Sequence, residues 1–236
     1  MSKIVIITGG SEGIGFATAQ KFCNLNYKVL IASRNKAKLA LAKAEILQNY
    51  SEAQINFVVC DVAQDKDVTK LFKVCDEIYG KVNILINAAA ILESHNFIDA
   101  NKAIWQKTLD INLKGTISCC EHAFQSMSSK GGVIINMSSL GGVQNFTKFH
   151  GYSAYVTSKS AITGLTEALA VEGKEFNIRV NAIAPGAVAT NMLKKAAPEL
   201  KTKTTSTDIA DTIIYLCDNN LAKHINGTIL TINSNE

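Results

Sequence analysis

Seven short apolar runs divide this chain, and none of them alternates. They read KIVIIT (3–8), KVLIAS (28–33), INFVVCD (55–61), VNILINA (82–88), GVIINMS (132–138), IRVNAIA (178–184) and TILTI (228–232). A strand with one wet face alternates apolar and polar residues, whereas an unbroken apolar strand is covered on both faces. That is the condition of a parallel sheet layered between helices. Between the runs lie stretches such as FATAQKFCNLN and DVTKLFKVCDEIYG, apolar at the spacing of a helix with one buried side. The strand–helix–strand rhythm predicts an α/β fold, a doubly wound parallel sheet with right-handed crossovers. Only Pro185 and Pro198 interrupt the chain, both late, and no linker, repeat or biased block divides it, so residues 1–236 read as one domain.

Charge and cysteine usage close off other classes. The net charge is +4, and the only arginines are Arg34 and Arg179, which leaves no nucleic-acid footprint. No apolar run reaches the length of a membrane span or a signal peptide, so a soluble cytoplasmic protein is expected, without a membrane partner. The six cysteines form no CxxC pair, and several lie in apolar runs, as buried free thiols do. The four histidines show no metal-ligand spacing, and no metal is expected.

The first run ends in TGGSEGIG (8–15), directly before a helical stretch. A diphosphate needs close backbone approach and a helix N-terminus offering N–H groups. Glycines at 9, 13 and 15 allow both. The spacing, TGxxxGIG, resembles the cofactor turn of the short-chain dehydrogenase/reductase family. Further matches follow in that family's order: CDV (60–62), NAAA (87–90), INLKG (111–115), NMSS (136–139), YVTSK (155–159) and PGAVAT (185–190). Within the family the chain is most similar to small carbonyl reductases and 3-oxoacyl-carrier-protein reductases. The resemblance implies a single-domain Rossmann fold, a seven-stranded parallel sheet in the order 3-2-1-4-5-6-7. It also implies a nicotinamide cofactor held by Gly9, Ser11, Gly13, Ile14 and Gly15 in the turn, and by Asp61, Val62, Asn87, Ala88 and Ala89 beyond it. The family usually reads NNAG where this chain has NAAA, so local packing there must differ.

At the end of the second strand an acidic residue would bind the adenosine ribose hydroxyls and repel a 2′-phosphate. Ser33 stands there instead, followed by Arg34, whose guanidinium can grip a phosphate with two hydrogen bonds. Both features favour NADP(H), with NAD(H) as the alternative and a plain surface charge as the other reading of Arg34. Glu12 opposes them, because relatives using NADP often carry a basic residue in the glycine turn, and a carboxylate there repels phosphate unless it turns to solvent. Asp61 resembles the acid that binds the adenine amino group, yet it is equally placed to cap the following helix.

Reducing a ketone needs hydride at carbon and a proton at oxygen, hence a poised acid and a donor that fixes the carbonyl. A free tyrosine, with a pKa of about 10, is too weak for easy proton traffic, and a nearby ammonium lowers that value. Tyr155 and Lys159 lie four apart, on one helix face. Tyr152, the rival, has a valine at that spacing. By resemblance, Ser139 orients the substrate carbonyl, with Ser138 its rival, and Asn112 holds a water against the lysine. Lys159 also binds the nicotinamide ribose, and Pro185, Gly186, Val188 and Thr190 close over the nicotinamide.

The expected lid, about 191–211, is short and mostly positive, either a surface for an acidic carrier protein or a solvated amphipathic cover. Trp105 belongs to a helix that is core or interface. A homo-oligomer is expected, dimer or tetramer, although TINSNE (231–236) lacks the diglycine with which relatives build the tetramer. The resemblance thus implies an oxidoreductase interconverting a carbonyl and a secondary alcohol. The alternative is a catalytically weak cofactor-sensing or scaffold protein on the same fold.

Overall fold

The computed structural model describes residues 3–233. Residues 234–236, on which the tetramer expectation partly rests, lie outside them. The seven apolar runs form β1 (Ile4–Thr8), β2 (Lys28–Ser33), β3 (Ile55–Val59), β4 (Ile84–Asn87), β5 (Gly132–Met137), β6 (Ile178–Pro185) and β7 (Ile229–Ile232). They make one seven-stranded sheet in the order β3-β2-β1-β4-β5-β6-β7, with every pair parallel.

Alternate residues of each strand serve opposite layers, which is why both must be apolar. In β1, Ile4 and Ile6 join one core and Val5 and Ile7 the other. The first core is closed by α3 (Asp65–Ile78) through Leu71 and Phe72 and by α5 (Gly115–Met127) through Ala123 and Met127. The second is closed by α1 (Gly13–Asn24) through Phe22, α2 (Lys36–Asn49) through Leu39 and Ile46, and α8 (Ser206–Cys217) through Ile213. Each large side chain so buried contributes roughly 1.5–3 kcal/mol. All six cysteines are free and buried. Burial pushes the Cys60 and Cys120 thiols up to about 12, so they behave as apolar fillers rather than nucleophiles. No helix among the described residues is long and apolar enough to cross a membrane.

The remaining helices are α4 (Lys102–Leu109), continuous through a π-turn (Asp110–Lys114) with α5, then α6 (Ser153–Glu172) and α7 (Asn191–Ala196). Strand β1 pairs with β2 on one side and β4 on the other. The chain therefore winds outward from β1 in both directions, and the carboxyl ends of β1 and β4 diverge into a crevice, the switch point where open parallel sheets bind ligands.

Of the segment expected as a lid, residues 206–211 belong instead to α8. Thr205 and Asp208 form a capping box that starts this helix, and Ile209 and Ala210 are buried. Only α7 and the loop after it remain to cover the cleft.

Candidate active site

The β1–α1 turn is built by contact. Gly9 has φ +68°, and a Cβ there would lie 2.8 Å from the Ala88 carbonyl. A Cβ on Gly15 would lie 2.4 Å from the Gly9 carbonyl oxygen. No side chain fits, so the turn folds flat against Ala88 and Ala89. Helix α1 then begins at Gly13, and the carboxylate of its N-cap residue Glu12 makes no capping bond. The first amides of the helix are left without a side-chain acceptor, as diphosphate-binding turns require. This cradle fits a dinucleotide.

A continuous cleft of about 2220 Å³ follows the carboxyl edge of the sheet, from Arg34 and Asp61, past Gly9, Ser11, Gly13, Ile14 and Gly15, to Tyr155 and Leu200. One small ligand occupies roughly 300–1,000 Å³, so the space suits a dinucleotide and a second molecule together.

Ser33, Arg34, Asp61, Val62, Ala88 and Ala89 line one end. The Ser33 hydroxyl is buried there without a hydrogen-bond partner among the described residues. Arg34 is exposed and forms no ion pair among them. Arg179, by contrast, is committed to the carbonyls of Leu216 and Ile225 at 3.0 and 3.1 Å. Glu12 does not turn free to solvent. Both its oxygens accept from Lys38 Nζ, at 3.1 and 3.0 Å. Asp61 is not the N-cap of α3: that position is Gln64, which makes no side-chain capping bond, and the Asp61 carboxylate accepts from the Ala63 amide at 3.1 Å. Asn87 lies beneath the cleft, donating to Asn136 at 2.9 Å across β4 and β5.

Pro185, Gly186, Val188 and Thr190 line the opposite wall. The Gly186 amide is fixed to Ile232 at 3.0 Å, and the Thr190 hydroxyl caps α7 by accepting from Leu193 at 3.2 Å.

Between the two ends stand Ser139, Tyr155 and Lys159. Lys159 is 3 % exposed; its Nζ donates to the Met137 carbonyl at 2.6 Å and stands 5.7 Å from the centre of the Tyr155 ring. Burial pulls its ammonium down to about 8. The Tyr155 phenol is raised, not lowered. Burial dominates, the Ser139 side chain pulls the other way, and Tyr152 adds to the rise. The expected acidification by the neighbouring ammonium is not what sets the phenol: the lowering influence comes from Ser139, and desolvation outweighs it. Ser138 donates its hydroxyl to the Lys159 carbonyl at 2.9 Å. Ser139 opens a short 3₁₀ turn, its oxygen accepting from Gly141 at 3.2 Å.

Asn112 sits one step behind the cleft wall. Its side chain bonds both the amide and the carbonyl of Ile91, at 2.8 and 3.0 Å, and donates to Ser158 at 3.1 Å. Ser158 in turn donates to the Tyr155 carbonyl at 2.7 Å. Three participants escaped sequence reasoning: the Met137 carbonyl, Ser158 and Lys38. A backbone acceptor carries no sequence signal. Lys38, however, falls in the first turn of α2, which follows Arg34 and its N-cap Asn35, where a third cation was there to be read.

The chain matches the family model described as short chain dehydrogenase over residues 3–201. It is 30% identical to carbonyl reductase family member 4 of Danio rerio, over 98% of this chain and 97% of that protein. It is 32% identical to 3alpha-hydroxysteroid dehydrogenase of Mediterraneibacter gnavus, over 98% of this chain and 95% of that one. The crystal structure of levodione reductase matches with a TM-score of 0.90 at 28% identity, covering 98% of this chain and 95% of that one.

Proposed function

The chain belongs to the short chain dehydrogenase family, a family of oxidoreductases that bind NAD(P)(H), and from that premise we propose that it reduces a ketone on an apolar body, using NADPH. One observation carries the reading: Ser139, Tyr155 and Lys159 line the same cleft as the glycine turn, with the ammonium over the phenol ring. A bound reduced nicotinamide supplies the hydride.

The protein's own residues do the rest. Tyr155, held in its protonated form by burial, donates the phenolic proton to the carbonyl oxygen. Ser139 donates a hydrogen bond to the same oxygen and fixes its direction. Lys159 keeps a positive charge beside the phenol as the proton leaves, and its contact with the Met137 carbonyl holds it in place. Asn112 is a positioning residue: through Ser158 and Ile91 it ties α6 to the loop after β4.

The far part of the cleft is lined by Phe146, Phe149, Tyr152, Met192, Leu193 and Leu200. These apolar and aromatic walls suit a substrate with an extended apolar body, in keeping with relatives named as a carbonyl reductase and a hydroxysteroid dehydrogenase. NADP is favoured over NAD by Arg34, which forms no ion pair among the described residues and directly follows Ser33, the position where an acid would select NAD.

The test is NADPH and NADH oxidation against a panel of cyclic, aromatic and acyclic ketones, quinones and acetoacetyl thioesters, for wild type and Arg34→Ala. Turnover of apolar ketones with NADPH is expected, and Arg34→Ala should lose about tenfold in kcat/KM with NADPH and little with NADH. Tight cofactor binding with no turnover across the panel would contradict the reading.

A further inference from the structure

The Glu12–Lys38 pair has no role in holding the fold. Each side chain is 49% exposed, and exposed ion pairs add little to stability. Glu12 does not cap α1. The start of α2 is capped by Asn35, which accepts from the Lys38 backbone amide at 3.0 Å, so the Lys38 side chain is not needed there either. Its placement even works against the helix. Lys36 and Lys38 lie in the first turn of α2, which contains no acid. That is the positive end of the helix dipole, where anions are favoured and cations are not.

The same residues make sense around a second anion. Arg34, Lys36, Lys38 and Glu12 all line the cleft at the end where β2 delivers Ser33, whose buried hydroxyl has no partner among the described residues. Three cations and two carboxylates, Glu12 and Asp61, line that end, with Glu12 already claimed by one of the cations and Asp61 accepting from the Ala63 amide. A phosphate monoester brings about two negative charges and acceptors in several directions. It would find Arg34 available and Lys38 within reach on a flexible stem, while Glu12 competes for that ammonium.

Resting on the NADP reading above, we propose that Lys38 is a specificity-determining residue for the cofactor's 2′-phosphate, and that Glu12 is its counter-ion in exchange. In the free protein Lys38 neutralises Glu12. On binding, the ammonium is shared with the phosphate, and the carboxylate that would repel the ligand is masked by the same contact. This accounts for an acid standing in the glycine turn of a chain whose other features select NADP.

The experiment is calorimetric titration of NADPH and NADH into wild type, Glu12→Gln, Lys38→Met and Arg34→Ala. Glu12→Gln frees Lys38 and should tighten NADPH by about fivefold. Lys38→Met removes a cation and unmasks the carboxylate, and should weaken NADPH by about twentyfold. NADH should move by less than about twofold in both, which also reports that the variants are folded. An unchanged NADPH Kd in either variant overturns the proposal. If Arg34→Ala weakens NADPH selectively while Lys38→Met does not, the exchange pair alone is wrong. If wild type binds NADH as tightly as NADPH and Arg34→Ala changes neither, the cofactor reading fails, and the proposal with it.

Discussion

An ammonium held 3 % exposed works against folding as well as for chemistry, and Lys159 makes both effects measurable. Its value falls to about 8 from the ordinary 10.5 because burial disfavours the charged form. Below pH 8 the group is charged folded and unfolded alike, and the full desolvation cost is present. Between pH 8 and 10.5 the unfolded chain keeps the proton that the folded one has released, so stability rises with pH across that window. Lys159→Met removes this dependence. The stability of that variant relative to wild type is therefore predicted to fall by about 3 kcal/mol from pH 7 to pH 10.5, measured by denaturant melts. If Lys159 acts charged, kcat/KM for carbonyl reduction in the wild type should also decline as pH rises through about 8, since that parameter reports the free enzyme. A flat profile to pH 10 would contradict that role. At this scale the sequence was informative about identity and silent about partners. The four-residue spacing of Tyr155 and Lys159 is legible, whereas the sign of the phenol's shift depends on burial, which no local pattern reveals.

Elements hold these residues in register, and the π-turn at Asp110–Lys114 is the clearest case. One extra residue per turn interrupts the α4–α5 helix at Asn112, as π-bulges do at functional sites, and the side chain reaches across to the loop after β4. Its three bonds, two to Ile91 and one to Ser158, are the loop's link to α6. Asn112→Ala leaves the Ile91 amide and carbonyl without these partners and is predicted to cost about 2–3 kcal/mol. Thermal unfolding should show this as a loss of about 5–10 °C, and a loss below 2 °C would contradict the stapling role. The strands were legible because unbroken apolar runs admit few other readings. Their ends were less so: the run expected over 55–61 ends its strand at Val59, because Cys60 and Asp61 turn toward the cleft. The π-turn was not read from the sequence, since no residue type marks it and α4 before it spans only Lys102–Leu109, too short to set a phase against which one inserted residue shows. The lid was overestimated because α8 is amphipathic, and its exposed first turn reads like a cover until its buried face is seen against α1.

At the scale of the whole molecule, the two cores on opposite sides of the sheet force the winding to reverse at β1 and β4, and the reversal opens the cleft. Glycine turn, Ser139 and the start of α6 then converge because they follow the carboxyl ends of β1 and β5, the two strands that flank β4. That convergence was readable from ordered motifs along the chain. The charges at the Ser33 end of the cleft were readable only as a contradiction, Arg34 against Glu12, until Lys38 was seen paired with Glu12. Proton donation from the Tyr155 phenol to the substrate oxygen is open to single-turnover NADPH oxidation with Tyr155→Phe on a ketone that wild type reduces. The rate should fall by about 10³-fold, with NADPH affinity within about twofold of wild type. A Tyr155→Phe protein that turns over as fast as wild type would contradict it.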